Sequence, residues 1–121
     1  MTAEADAQTA VRLAAAKDGT VLWRNNVGAG YLANGSFLRW GLCNDNAALN
    51  ARIKSADLIG IRPVLILPEH VGRTLGVFCS REVKPPGWKR HATPREVAQE
   101  AWAELVRGYG GDAAFTTGEW V

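Results

Sequence analysis

The sequence predicts an α/β fold, and three observations lead to this prediction. An alanine-rich segment with helical spacing opens the chain, short apolar and β-branched segments fill its middle, and a second helix begins after Thr93 with clear start signals. The resulting order of helix, strands, helix and strand is typical of an α/β domain. At 121 residues the chain is expected to form a single domain, 1–121.

The N-terminal half is expected to hold one helix and two short strands. Residues 3–17 are dominated by Ala, which is the best helix former. Residues 21–24 and 36–41 are predicted to be strands, and residues 25–30 a loop, because they combine flexible Gly with hydrogen-bonding Asn. Residues 44–55 are polar and are predicted to form a loop with one helical turn.

Two apolar segments in the middle of the chain are predicted to be strands. Residues 57–67 are rich in β-branched side chains, and Pro63 among them indicates a break, a bulge or a sheet edge. After a turn at 68–72, residues 74–84 are predicted to form one long strand. Cys79 lies in this strand and is expected to be a buried free thiol.

The second helix has a well-marked beginning. Thr93 fits the N-cap, Pro94 the first helical position and Glu96 the third, which together predict a capping box. The helix is expected to end near Gly108 and to be followed by a short strand at 113–117. Its apolar face is expected to consist of Ala98, Trp102, Leu105 and Tyr109.

Composition limits the classes of function. The formal net charge is +2, which is too small to establish nucleic-acid binding, but ten of the fourteen basic residues are Arg, which contacts phosphate through two hydrogen bonds. The two cysteines form neither a zinc motif nor an obvious disulfide, so a cytoplasmic location is expected. The polar, acidic N-terminus is unlike a signal peptide, and no apolar run approaches the ~20 residues of a membrane span, so no membrane partner is expected.

Three charged residues suggest phosphodiester chemistry. Glu82 and Lys84 are two residues apart in a predicted strand and would share one face. Asp57 begins one apolar segment and Glu82 ends another, so antiparallel pairing of these segments would bring both carboxylates to one sheet edge. Carboxylates hold hard divalent ions, which neutralise phosphate and activate water. The alternative is a surface ion pair at a strand end, because Glu-x-Lys alone is common by chance.

Further motifs give the chain a resemblance to a known family. They are Glu4 with Gln8, Trp23–Gly28 (WRNNVG), Ser55–Gly60 (SADLIG), Arg81–Lys84 (REVK), Thr93–Glu96 (TPRE) with Gln99, and Gly110–Gly111. In this order and combination they resemble the small standalone VRR-NUC nucleases of bacteriophages and prophages, which belong to the PD-(D/E)XK superfamily. The match runs almost from end to end, although Ser55 and Ala56 stand where the family often has Pro before the Asp.

The resemblance implies a restriction-endonuclease-like core, with a central mixed β-sheet flanked by helices in the order α-β-β-β-α-β. It implies that Mg2+ or Mn2+ is bound by Glu4, Asp57, Glu82 and the backbone carbonyl of Val83. Lys84 corresponds to the catalytic lysine of the family, and Gln99 to a glutamine on the helix after the catalytic strand. Gln99 shares a helix face with Trp102 and Val106, so it is expected to point inward.

The implied activity is metal-dependent cleavage of branched DNA by a homodimer similar to a Holliday-junction resolvase, without a nucleotide cofactor. Two alternatives are a non-catalytic dimer that binds structured DNA and a nuclease with broader specificity for flaps and nicks. Candidate DNA contacts are Arg24, Asn25, Asn26, Arg39, Lys54, Trp88, Lys89 and Arg90, with His91 beside them. The Asn side chains would otherwise satisfy their own loop, and Trp88 would either stack on an unpaired base or pack at a subunit interface.

Overall fold

The computed structural model describes residues 2–120 and divides the chain into two compact units, Met1–Gly60 and Ile61–Val121. In chain order the elements are α1 (Ala3–Lys17), β1 (Val21–Arg24), β2 (Gly28–Tyr31), β3 (Phe37–Trp40), α2 (Ala47–Arg52), β4 (Leu58–Ile61), a 3-10 turn (Pro68–His70), β5 (Cys79–Val83), α3 (Pro94–Gly108) and β6 (Asp112–Thr116). The α/β class is confirmed. Within residues 2–120 no helix has the length and apolar character needed to cross a bilayer.

The described strands pair as three two-stranded sheets, β1 with β4, β2 with β3, and β5 with β6. The β2–β3 pair is antiparallel and the β5–β6 pair is parallel. The element order therefore contains more strands than the predicted α-β-β-β-α-β. The antiparallel pairing that would bring Asp57 and Glu82 to one sheet edge is not among these pairings, because β4, which follows Asp57, pairs with β1, and β5 pairs with β6.

The first unit begins with the helix that the sequence predicts. The side chain of Thr2 caps α1 by accepting a hydrogen bond from the backbone of Ala5 at 3.0 Å. Arg12 then ties the helix to β1, since its Nε donates to the carbonyl of Leu22 at 3.2 Å. Both the bounds of α1 and those of β1 agree with the predicted 3–17 and 21–24.

The predicted loop at 25–30 is wrong in its second half, because Gly28 and Gly30 belong to β2. A β-carbon at Gly28 would lie 2.6 Å from Cε2 of Trp40, so only glycine lets the indole lie across the strand. The buried side chain of Asn44 fixes this pair of strands by donating to the carbonyls of Gly28 and Trp40, at 2.7 and 2.9 Å. The formation of β2 thus depends on packing against Trp40 and Asn44, which lie outside the segment 25–30.

The second unit packs α3 on the parallel β5–β6 pair, with Glu82 opposite Phe115 in register. The predicted apolar face of α3 is wrong: Trp102 and Leu105 remain 38% and 42% exposed, while Ala103 and Val106 are buried. The small Ala103 and the β-branched Val106 allow the helix to approach the sheet at Ala113, which is also buried. The core therefore follows small side chains and leaves the large ones at its edges.

Both central strands are shorter than predicted. β4 ends at Ile61, just before Pro63, as the expected break at the proline requires. β5 begins only at Cys79, so the predicted strand over 74–84 is wrong in its first half. Cys79 is exposed and not buried, because it alternates with Ser80 and points away from α3.

Gly111 is expected to be indispensable to the second unit. A β-carbon there would lie 2.7 Å from Cγ1 of Val106 and 3.0 Å from the carbonyl oxygen of Phe78. Overpacking of this kind costs about 1–3 kcal/mol, so Gly111→Ala should lower the free energy of unfolding by that amount in a urea titration. Gly108→Ala is the matched control, since nothing lies within 4 Å of its β-carbon and Ala favours a helix. Equal stability of the two variants would contradict this packing.

Candidate active site

The charged residues of the candidate site lie on the face of β5 that α3 covers. Residues two apart in a strand share a face, so Ser80, Glu82 and Lys84 point together towards the helix. The backbone N–H of Lys84 donates to the carbonyl of Thr116 at 2.8 Å, which carries the pairing with β6 one residue beyond the end of β5. The shared face predicted for Glu82 and Lys84 is therefore present.

Gln99 joins Glu82 to Lys84. Its Nε2 donates to Oε1 of Glu82 at 2.7 Å, and its Oε1 accepts from Nζ of Lys84, also at 2.7 Å. The ammonium lies 3.7 Å from the same carboxylate oxygen of Glu82. The expectation that Gln99 points inward from α3 is met, and the three side chains form one hydrogen-bonded chain.

Within this hydrogen-bonded group, the carboxylate of Glu82 is more exposed to solvent than the ammonium of Lys84. The side chain of Lys84 is 13% exposed and that of Glu82 is 40% exposed. The hydrogen bond and ion pair described for Glu82 both fall on Oε1, which leaves Oε2 without a described partner. Glu82 can therefore accept a further ligand on its second oxygen while Gln99 and Lys84 hold the first.

Two aromatic rings fix the position of Lys84. The rings of Trp88 and Phe115 are stacked, with centroids 5.3 Å apart and planes inclined by 11°. Nζ of Lys84 lies 5.6 Å from the Trp88 centroid and 5.8 Å from that of Phe115, within the range of cation–π attraction. One face of Trp88 is thus occupied inside its own unit, so its position helps to hold Lys84.

A cavity of about 340 Å³ lies beside Glu82, between α3 and the β5–β6 pair. Its lining comprises Ser80, Glu82, Arg95, Ala98, Gln99, Trp102, Ala103, Ala113, Ala114 and Phe115. The indole of Trp102 is oriented by a hydrogen bond from Nε1 to Oγ of Ser80 at 2.9 Å. Arg95 is exposed, and no hydrogen bond or ion pair of its guanidinium is described within residues 2–120.

Glu96 anchors the loop that carries Trp88. Its buried carboxylate accepts hydrogen bonds from the backbone N–H groups of His91, at 2.8 Å, and Ala92, at 3.1 Å. Thr93 caps α3 as predicted by accepting from the N–H of Glu96 at 3.2 Å. The reciprocal half of the predicted capping box is wrong, because Glu96 reaches the two residues before Thr93, where Ala92 has a positive φ of 52°.

The bond from the backbone of His91, reinforced by that from Ala92, lowers the pKa of Glu96 below its ordinary value. A carboxylate with a lowered folded-state pKa stabilises the fold fully above its ordinary pKa, and this contribution is lost as the pH falls through the lowered value. Glu96→Gln should therefore lower Tm near neutral pH, and the difference from wild type should shrink in acid. Glu104→Gln, an exposed change on the same helix, is the control. A Tm difference for Glu96→Gln that is constant with pH would contradict this role.

In the first unit, Asn25 holds the backbone that leads to Asp57. The N–H of Asn25 donates to the carbonyl of Asp57 at 2.8 Å. Its Nδ2 donates to Oγ of Ser55 at 2.8 Å and to the carbonyl of Ala56 at 2.9 Å. This favours a loop-building role for Asn25, in which its side chain binds the segment 55–57 and not the backbone of its own loop. The carboxylate of Asp57 is exposed, with no described hydrogen bond.

Glu4 and Gln8 share a polar cavity in the first unit. This cavity of about 330 Å³ is lined by Thr2, Glu4, Ala5, Gln8, Thr9, Arg12 and Arg24. Arg24 donates from Nη2 to Oδ1 of Asn26 at 3.2 Å, so these two candidate DNA contacts are bonded to each other. Glu4 thus lines the same cavity as Arg12 and Arg24.

The predicted metal ligands can be tested for their chemistry. Among residues 2–120, no three His, Cys, Asp or Glu side chains form a group able to hold a metal. Glu4 and Asp57 belong to the first unit and Glu82 to the second. Val83, whose carbonyl was the fourth predicted ligand, ends β5. The donor types nevertheless fit a hard cation: Glu82 offers Oε2, and Asp57 offers an exposed carboxylate.

The remaining basic residues predicted to contact DNA differ in whether their side chains already have partners within the protein. Arg39 donates to Oδ1 of Asn44 at 3.1 Å and lies over the ring of Phe37. Lys54 donates to the backbone and side chain of Asn50, at 3.1 and 2.8 Å. Arg90 is 3.5 Å from Glu100, whereas Lys89 is exposed and has no described side-chain bond in the part of the chain that the structure covers.

Arg95 is a basic residue at the site that sequence reasoning missed. It lies four residues before Gln99, a spacing that places two side chains on the same face of a helix. That spacing was the available signal, since Gln99 was already expected to point inward.

Comparison with family models, with curated proteins and with solved structures found no match to this chain.

Proposed function

We propose that this protein is a metal-dependent endonuclease that hydrolyses phosphodiester bonds in branched DNA, on a restriction-endonuclease-like core. The observation that carries the proposal is the chain Glu82–Gln99–Lys84, in which a half-exposed carboxylate and a largely buried ammonium are held 3.7 Å apart by one amide. A surface ion pair at a strand end would need neither the bridging Gln99 nor the aromatic rings around Lys84.

Each residue of the site has a distinct role in this proposal. Glu82 and Asp57 would be the principal ligands of Mg2+ or Mn2+, with Glu4 and the Val83 carbonyl as further ligands. The ion would neutralise charge on the scissile phosphate and increase the acidity of water. Lys84 donates to a phosphate oxygen as negative charge develops there. Gln99 holds the carboxylate of Glu82 and the ammonium of Lys84 at a fixed distance from each other.

The substrate and assembly follow from the resemblance together with the charges. Phosphate contacts supply most of the affinity for DNA, and Lys89 and Arg95 are exposed cations in the second unit. A homodimer would present two active sites on a two-fold axis, which suits symmetric cleavage of a four-way junction. Recognition would then depend on the shape of the DNA and not on base sequence.

The test compares a labelled four-way junction, a flap, a nicked duplex and a linear duplex in Mg2+, in Mn2+ and in EDTA. We expect divalent-ion-dependent cleavage with the junction cut fastest. Equal cleavage of flap and nick would instead favour a broader specificity. Tight binding of the junction in a gel shift, without cleavage in either metal, would identify a non-catalytic DNA-binding protein and overturn the proposal.

A further inference from the structure

The cavity beside Glu82 has the features of a binding site for one nucleotide. We propose that it takes a single unpaired nucleotide of the DNA substrate, with the base inside the cavity and the adjoining phosphate on Arg95. This inference rests on the proposed function and specifies its substrate class. It explains how a fold without a base-reading helix would distinguish branched DNA from an uninterrupted duplex.

The size and walls of the cavity suit a planar base. Its volume of about 340 Å³ lies in the range of ligand pockets, about 300–1,000 Å³. Trp102 and Phe115 supply aromatic surface, and Trp102 is 38% exposed with its ring held by Ser80. Four further residues of the lining, Ala98, Ala103, Ala113 and Ala114, have small side chains that take up little space. Aromatic surfaces bind bases of any sequence, because every base has a π face.

The one cation that the described residues contribute to the cavity lining, Arg95, suits the phosphate of the same nucleotide. The exposed guanidinium of Arg95 has no described partner within residues 2–120, so it keeps its donors for a ligand. Guanidinium groups bind phosphate through paired hydrogen bonds. Glu82 and Gln99 also line the cavity, so a nucleotide held there would lie directly beside the proposed reaction centre.

A cavity that binds one base would favour DNA in which a base is unpaired or unstacked. A base in a duplex is stacked and paired, and its removal costs unstacking and unpairing energy, whereas a base at a branch point is already free of part of this cost. The cavity would therefore favour flaps, and junctions whose branch-point bases open, over continuous duplex, without any contact that depends on base identity.

The experiment measures binding without catalysis. A branched oligonucleotide carrying 2-aminopurine at an unpaired position beside the branch is titrated with protein in EDTA, and the quenching of its fluorescence reports stacking. Ala98→Met adds volume at the cavity wall, where Ala98 is exposed and the change should not disturb folding. We expect this variant and Arg95→Gln to bind the branched probe about tenfold more weakly, with the quenching lost in Ala98→Met.

Two matched controls accompany these variants. Ala101→Met adds the same volume at an exposed position of α3 outside the cavity lining, and Arg73→Gln removes an exposed cation elsewhere in the unit. Both should quench as wild type does. Wild-type binding and quenching by Ala98→Met, or an equal loss of affinity for an unbranched duplex, would overturn the nucleotide site. Because the assay contains no metal, its result is separable from the presence or absence of cleavage.

Discussion

Glu82→Gln is expected to abolish metal-dependent cleavage, with a loss of about 1,000-fold or more in kcat/KM. The substitution keeps the size of the side chain but removes the charge that would hold the divalent ion. Charge stabilisation by such an ion is worth several kcal/mol, and about 1.4 kcal/mol corresponds to a tenfold change in rate. The measurement is the rate of junction cleavage in Mg2+ and in Mn2+ under single-turnover conditions.

The fold should survive this change, because Gln at position 82 can still accept the hydrogen bond from Nε2 of Gln99. A circular dichroism spectrum and a Tm close to those of wild type would separate lost chemistry from lost structure. Glu104→Gln, which removes an exposed carboxylate on α3, should cleave at the wild-type rate. If Glu82→Gln retained wild-type cleavage, Glu82 would not be a ligand of the catalytic ion.

Lys84→Met is expected to lower kcat by about 100- to 1,000-fold, the range seen when a donor to a developing oxyanion is removed. Met keeps the apolar stem against Trp88 and Phe115 but has no ammonium to donate. It also leaves Oε1 of Gln99 without its donor, so a stability loss of about 1 kcal/mol is expected alongside. KM should change little, because the interaction belongs to the transition state.

Lys89→Met gives the contrasting result. Lys89 is an exposed cation in the loop before α3. Its loss should weaken binding of the DNA phosphates, which raises KM and leaves kcat near the wild-type value. A matching rise in KM for Lys84→Met, with kcat unchanged, would show that Lys84 only contributes to DNA affinity. The pair of variants thus separates a catalytic role from an electrostatic one.

The parts of this structure that sequence could predict are those determined locally. The bounds of α1 follow from its run of alanines, and the start of α3 follows from Thr93 and Pro94. The shared face of Glu82 and Lys84 follows from strand alternation, and the inward position of Gln99 from helical spacing. These local rules were sufficient to assemble the three side chains that carry the proposal.

The parts that could not be predicted depend on contacts between distant segments. β2 requires Gly28 to lie beneath Trp40, and no feature within residues 25–30 indicates that partner. The buried face of α3 is the one on which Ala103 and Val106 approach the sheet closely. Helical spacing alone does not distinguish this face from the face that carries the larger apolar side chains. Strand partners could not be predicted for the same reason, since hydrophobicity marks a strand but not its neighbour.

The most direct measurement of the central claim is cleavage of a labelled four-way junction in Mn2+ by wild type and by the Asp57→Ala variant. Asp57 is the residue whose role rests on sequence, and its exposed carboxylate makes no described hydrogen bond, so its removal should leave folding intact. We predict cleavage by wild type that EDTA abolishes and no cleavage by a well-folded Asp57→Ala. Cleavage by Asp57→Ala at the wild-type rate would contradict a nuclease in which Asp57 and Glu82 serve the same divalent ion.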